Sequence, residues 1–245
     1  MKLAVLSDIH GNIRALDAVL RDIEHRHVDQ VINLGDCAYG PFDPTPVLDR
    51  LVTLDMPTVS GNEDQVFVDP PAVQGLSRTA QFTRGFLTQR HLDWLTSLPL
   101  RIKRDDLMAF HAQPNSRTGY LLTRPSDDGG VCPATQTEIV AQLSAVAKPL
   151  ILCGHDHLPR HVVLEDGRMI VNPGSVGCPA FEDDVPMSHR VENGTPHARY
   201  ALVDVVGGRI RAELLAVTYD WQAAAKEAEN NGFPDWAQWI ATGRV

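Results

Sequence analysis

Apolar and polar positions alternate along this chain in two rhythms. KLAVLS (2–7), QVINLG (30–35) and PLILCG (149–154) are short apolar runs that end in small or polar residues, the pattern of strands buried on both faces. Between the first two, Ile13, Leu16, Val19, Leu20 and Ile23 recur at helical spacing behind Asn12, a good helix cap, so the sequence predicts a helix over 13–26. DPTPVLDRLVTLD (43–55) predicts a second helix, with proline early, where its missing N–H costs little. PTVSG (57–61) reads as a third strand, which completes a β-α-β-α-β opening. Further on, 76–97 reads as helical, DLMAFHA (106–112) as a strand and QTEIVAQLSAVA (136–147) as a helix. Beyond residue 154 the units shorten. RHVVLEDGRMIVNPGS (160–175) holds two strands around an Asp-Gly turn. ARYALVDVVGGRIRAELLAV (198–217) is a second hairpin around Gly207-Gly208, and helices over 219–231 and 234–242 close the chain.

An alternating first part followed by hairpins predicts an α/β fold of two sheets packed together with helices outside, a two-sheet α/β sandwich. No repeat, low-complexity tract or linker divides the sequence, so residues 1–245 are expected to form a single domain. The stretches 112–134 and 179–198 are long for plain connections, and loops of that length are often functional.

Five of the predicted strands, all before residue 155, end in side chains able to bind a metal. SDIHGN carries Asp8 and His10, LGDCAYG carries Asp36, SGNED carries Asn62, FHAQP carries His111, and GHDH carries His155 and His157. Ligands of open α/β sheets gather at the carboxyl ends of strands, so the seven are expected on one edge. Taken singly each motif is weak: Gly-Asp and Gly-Asn are ordinary turn pairs. The ordered set of five is the signal. Mixed oxygen and nitrogen donors without thiolate suit Mn, Fe, Zn, Ni or Co. Seven donors exceed what one structural zinc takes and suit two metals sharing a carboxylate.

Composition narrows the partners. With 43% apolar and 22% charged residues the chain is an ordinary globular sequence. Its formal charge of −9 argues against stable binding to nucleic acid or an anionic membrane. It leaves an anionic substrate open, because a bound metal can dominate the local field. No run approaches a membrane span, and MKLAVLSDIHGN meets Asp8 and His10 too soon for a signal peptide. Cys37, Cys132, Cys153 and Cys178 are scattered without a CxxC, which reads as reduced thiols in the cytoplasm, with Cys37 and Cys153 as small hydrophobes beside the core.

The series SDIHGN, LGDCAYG, SGNED, FHAQP, GHDH and NPGSVG resembles the calcineurin-like metallophosphoesterases, closest to their small bacterial and archaeal phosphodiesterase-type branch. The resemblance implies a two-sheet sandwich and two divalent metals, manganese first. It places one metal on Asp8, His10, Asp36 and His157 and the other on Asp36, Asn62, His111 and His155, with Asp36 bridging. The expected reaction is hydrolysis of small phosphate esters, phosphodiesters first, by a hydroxide held between the metals. A homo-oligomer is left open.

Two departures bear on substrate. Many relatives carry G-N-H-D, whose histidine assists the leaving group, and Glu63 stands at that place here. GDCAYG lacks the arginine of the protein Ser/Thr phosphatases. A dinucleoside polyphosphate hydrolase, a phosphatase-like monoesterase and a non-catalytic scaffold on the same fold are the alternatives. Asn12, Glu63 and Asp64, beside Asp36 and Asn62, are candidates to assist catalysis. Asn12 is also read as a helix cap, and Glu63 and Asp64 as first-turn acids complementing a helix dipole. Tyr39, Arg117, Tyr120 and Arg160 are candidate substrate contacts. Asn172–Ser175 is either a loop beside the metals or a plain turn.

Overall fold

The computed structural model describes residues 1–69 and 75–245. Its elements run β1 (Lys2–Leu6), α1 (Ile13–Glu24), β2 (Gln30–Asn33), α2 (Thr45–Leu54), α3 (Asn62–Val68), α4 (Arg78–Arg84), α5 (Gln89–Ser97), β3 (Arg101–Lys103) and β4 (Leu107–Phe110). Then come β5 (Thr123–Pro125), β6 (Val131–Pro133), α6 (Gln136–Gln142), β7 (Leu150–Leu152), β8 (Arg160–Val163), β9 (Met169–Asn172), β10 (Ala180–Asp183) and β11 (His189–Glu192). β12 (Ala198–Val206), β13 (Arg209–Val217), α7 (Trp221–Asn230) and α8 (Pro234–Thr242) end the chain.

Two sheets form the centre. The first has the order β13-β12-β1-β2 and the second β3-β4-β7-β9-β8. β1 pairs parallel with β2 and antiparallel with β12, so segments from opposite ends of the chain share one sheet. In the second sheet β4, β7 and β9 run parallel. The period of two along each strand separates three layers of core. From β1, Leu3 and Val5 meet Leu107, Ala109, Leu150, Leu152 and Val171 between the sheets. Ala4 and Leu6, on the other face of β1, pack against Leu16 and Val19 of α1 and Ala224 of α7. Phe110, Ile151 and Ile170 turn outward onto Ile139 of α6. Burying both faces is why the central strands read as unbroken apolar runs. The expected two-sheet α/β sandwich is thus observed.

Several elements differ from the sequence reading. PTVSG makes only an isolated bridge, Thr58 to Asn33, because the chain leaves the sheet at Ser60 to enter α3. The segment over 76–97 is two helices. α4 stops at Gly85, and Thr88 starts α5 by accepting the His91 N–H. The helix expected to reach 147 ends at Gln142, where the Leu143 N–H is shared between Ile139 and Val140. The stretches 112–134 and 179–198 each contain a short hairpin, β5–β6 and β10–β11. Among the described residues no helix is long and apolar enough to cross a membrane.

Candidate metal centre

The parallel strands deliver their carboxyl ends to one edge, and the chain leaves β1, β2 and β7 under constraint. Asp8, His10, Asp36, His155 and His157 all have φ between 51° and 72°. A non-glycine residue there costs of order 1–3 kcal/mol and persists only where its surroundings enforce it. The enforcement is local packing. A Cβ on Gly61 would collide with the Asp36 carboxylate and backbone, so only glycine allows α3 to begin against that loop.

These loops bring the seven predicted donors together. Asp8, His10 and His157 place ligand atoms within 4.8 Å of one another, and so do Asp36, His111 and His155. Asn62 Oδ1 lies 2.9 Å from His111 Nε2, joining the second group. Asp36 Oδ2 stands 3.2 Å from His111 Nε2. A further set, His10, Asp36 and Glu63, overlaps both groups.

Hydrogen bonds set the tautomers. His10, His111 and His157 each direct Nδ1 at a backbone carbonyl: Tyr39 at 2.8 Å, Leu34 at 2.8 Å and Cys178 at 2.7 Å. A carbonyl only accepts, so each Nδ1 carries the proton and each Nε2 presents a lone pair to the centre. His10 Nε2 and His157 Nε2 are 3.2 Å apart, and His111 Nε2 is 3.2 Å from His155 Nδ1. Facing lone pairs at that distance repel unless a cation lies between them. Two imidazoles bound at 2.0–2.1 Å to one tetrahedral ion would stand roughly 3.3 Å apart. Asp8 Oδ1 is buried without a hydrogen-bond partner, a further acceptor waiting for a cation. The donor set therefore fits divalent metal.

Without metal, protons meet part of that demand. Burial opposes charge on His111, but the Asp36 and Asp8 carboxylates outweigh it and raise the imidazole to about 10. Burial likewise opposes His10, which Glu63, Asp36 and Asp8 raise to about 9. His155 goes the other way: burial, then the charge on His111, push it down to about 3. The Asp8 carboxyl stays low despite its burial, held there by His157, His111 and His10.

The supporting candidates divide by what they touch. Asp64 is fully buried and accepts from the backbone N–H groups of Asp36 (2.9 Å), Cys37 (2.9 Å) and Gly61 (3.0 Å). It clamps the Asp36 loop to α3 and does not line the cavity beside the donors. Asn12 caps α1 through Ala15 N and donates to Gly177 O at 3.1 Å, so its side chain is spent on positioning. Glu63 does line the cavity. Its Oε2 stands 3.3 Å from His10 Nδ1, and burial beside Asp36 and Asp8 pushes it up to about 7 against the pull of His10. Asn172 donates to Gly154 O and to Asp156 Oδ1, and Ser175 donates to Asp8 O, so the NPGS loop braces two donor loops. Arg117 is held on Ser60 and Arg160 on the Leu122 carbonyl, whereas Tyr39 and Tyr120 line cavities.

Two cavities flank the donors. One, of about 450 Å³, is bounded by His10, Glu63, Tyr39, Phe181, Trp236 and Trp239. The other, of about 610 Å³, runs past Tyr120, Arg124, Pro125 and Pro186. Asn62 and His155 border both. Phe181, Trp236, Trp239 and the buried Asp156 escaped the sequence reading. Asp156 lies inside GHDH, so its motif was visible, but nothing local tied the tryptophans to residues more than 200 positions away.

Comparison with known proteins gives the family and the fold. The calcineurin-like phosphoesterase superfamily domain matches residues 1–194. An uncharacterized protein of Methanocaldococcus jannaschii is 27% identical over 96% of this chain and 94% of its own length. The crystal structure of a metallophosphoesterase from Sphaerobacter thermophilus superposes with a TM-score of 0.78 at 24% identity, over 99% of this chain and 100% of that one. A hypothetical protein from Pyrococcus horikoshii superposes at 0.75 with 19% identity, over 99% and 98% of the two chains.

Proposed function

The chain belongs to the calcineurin-like phosphoesterase superfamily, and from that premise we propose that it is a phosphodiesterase using two divalent metals, manganese first. Asp8, His10, Asp36 and His157 hold one metal, and Asp36, Asn62, His111 and His155 hold the other, with Asp36 shared. When bound, the metals supply Lewis acidity and an activated water at neutral pH.

One observation supports a diester over a monoester. The two cavities meet at Asn62 and His155, so a phosphorus seated at the donors has room for a substituent on each side. Asn62 and His155 therefore orient the phosphoryl group from the point where the arms diverge. Glu63 stands beside one arm and holds or releases a proton near neutral pH. Tyr120, its ring 5.2 Å from that of His155, borders the other.

The same lining disfavours the alternatives. Arg124 is the one arginine or lysine bounding either cavity, against Glu63, Glu138, Glu182 and Asp183. Beyond the metals themselves, a polyphosphate chain would find little to neutralise it. The intact donor set argues against a scaffold. Four free cysteines, three of them buried, support a cytoplasmic setting.

The test is manganese loading followed by desalting and metal analysis, with turnover measured on bis-p-nitrophenyl phosphate, p-nitrophenyl phosphate, a diadenosine polyphosphate and a phosphopeptide. The expected result is close to two ions per chain and the highest kcat/KM on the diester. A single ion under every loading condition removes the two-metal reading. Preference for any of the other three substrates removes the phosphodiesterase reading.

A further inference from the structure

We infer that α8 builds a stacking subsite for a planar, nucleobase-like arm of the substrate, next to the metal centre and outside the matched family domain. The inference rests on the phosphodiester reading, since it assigns one of the two arms. α8 spans Pro234–Thr242, beyond the matched residues 1–194.

The aromatic surface is continuous. The Trp236 ring meets His10 edge-on, with centroids 5.6 Å apart. It lies 6.3 Å from Tyr39 and 5.5 Å from Trp239. Trp236 and Trp239 are three residues apart on a helix, so both rings emerge from one face. Phe181 packs against His157 at 4.6 Å on another wall of the same cavity. Trp236, Trp239, Tyr39 and Phe181 all keep partial exposure, Trp236 and Tyr39 while also packing against the core. Large, partly exposed aromatics beside a polar reaction centre are the components from which proteins build base-stacking platforms.

The fold holds this wall firmly. Pro234 stands in the first turn of α8, and Gly243, at φ 68°, ends the helix by returning its N–H to Trp239 O. Gly194 N donates to Gly243 O, which ties the end of α8 to the segment after β11. Ile240, one turn beyond Trp236 and fully buried, anchors the helix in the core.

Charge selects the occupant. Glu182 and Asp183, at the end of β10, border the cavity together with Glu63. Carboxylates accept hydrogen bonds from the exocyclic amino groups of bases and repel additional phosphates. A nucleoside arm joined through a single phosphate fits this lobe, and a polyphosphate arm does not.

Binding to manganese-loaded protein separates the contributions. Calorimetric titration with AMP and with ribose 5-phosphate isolates the base, while tryptophan fluorescence reports its location. AMP should bind at least about ten-fold tighter than ribose 5-phosphate, in keeping with the usual worth of base–aromatic stacking, and should quench tryptophan emission. W239A should bring AMP down toward ribose 5-phosphate, W239F should restore most of the difference, and the quench should persist in W94F. Equal affinities in the native protein overturn the inference, and so does a W239A variant that weakens both ligands alike. Base-dependent binding with no hydrolysis of bis-p-nitrophenyl phosphate would sustain the stacking subsite and sink the phosphodiesterase reading alone.

Discussion

Replacing Asp64 with asparagine tests how the centre is held together. Its carboxylate accepts from three backbone N–H groups, those of Asp36, Cys37 and Gly61. Burial and the neighbouring Asp36 push the Asp64 carboxyl up to about 6, so at pH 7.5 it is ionised. Asparagine keeps the shape. Its oxygen can replace Oδ2 toward Asp36 and Gly61, as a neutral acceptor rather than a charged one. Its NH₂ then faces the Cys37 N–H, donor against donor. A stranded buried N–H costs about 1–3 kcal/mol, and weakening two charge-assisted bonds adds about 1 kcal/mol, about 3 kcal/mol together. Asparagine also escapes the cost of burying a charge: for a carboxyl raised from about 3.9 to about 6, neutralising it returns about 3 kcal/mol at pH 7.5. The two nearly cancel, so the stability from urea unfolding of the metal-free protein at pH 7.5, followed by far-UV circular dichroism, should change by less than about 1 kcal/mol, and the effect should fall on the metal site. The loosened loop should also let Asp36 relax from φ 53° toward ordinary backbone and weaken manganese binding about ten-fold by calorimetry. Unchanged manganese affinity would refute the clamp.

Three further outcomes are expected. Asp36→Asn should abolish turnover and reduce bound manganese below two ions per chain while the circular dichroism spectrum stays native; near-normal activity would show the shared carboxylate to be misassigned. Glu63→His should raise the ratio of monoester to diester hydrolysis, measured on p-nitrophenyl phosphate and bis-p-nitrophenyl phosphate, and an unchanged ratio would remove Glu63 from leaving-group chemistry. In the metal-free protein, His10 and His111 are raised to about 9 and about 10, above the unfolded value of about 6.5. The folded state then binds more protons than the unfolded one across this range. The stability from these groups is complete below about pH 6.5 and lost as pH rises through 9 and 10. Urea midpoints should fall between pH 7 and 10, and fall less in H111N; an equal fall in both would place the effect elsewhere, for instance on the buried thiols.

The sequence alone determined the class of the fold and the chemistry of its edge. Both are local properties. A strand buried on two faces must be an unbroken apolar run, as KLAVLS and PLILCG are, and a helix packed on a sheet must repeat its apolar residues as 13–24 does. The donor residues follow the strands directly, so their order along the chain already pointed to one edge. The tertiary structure decided what depends on distant partners. PTVSG has the composition of a strand, but its neighbour β2 receives only one bridge before Gly61 turns the chain into α3. The 112–134 and 179–198 stretches are polar, and their hairpins form from backbone pairing that leaves little hydrophobic pattern to read. Asp64 looked like a first-turn acid because its acceptor role depends on N–H groups 27 and 28 residues earlier in the chain. The tryptophans of α8 carried no local sign of function at all. Only folding sets Trp236 against His10, because a contact across more than 200 residues is fixed by how the layers pack and not by any pattern along the chain.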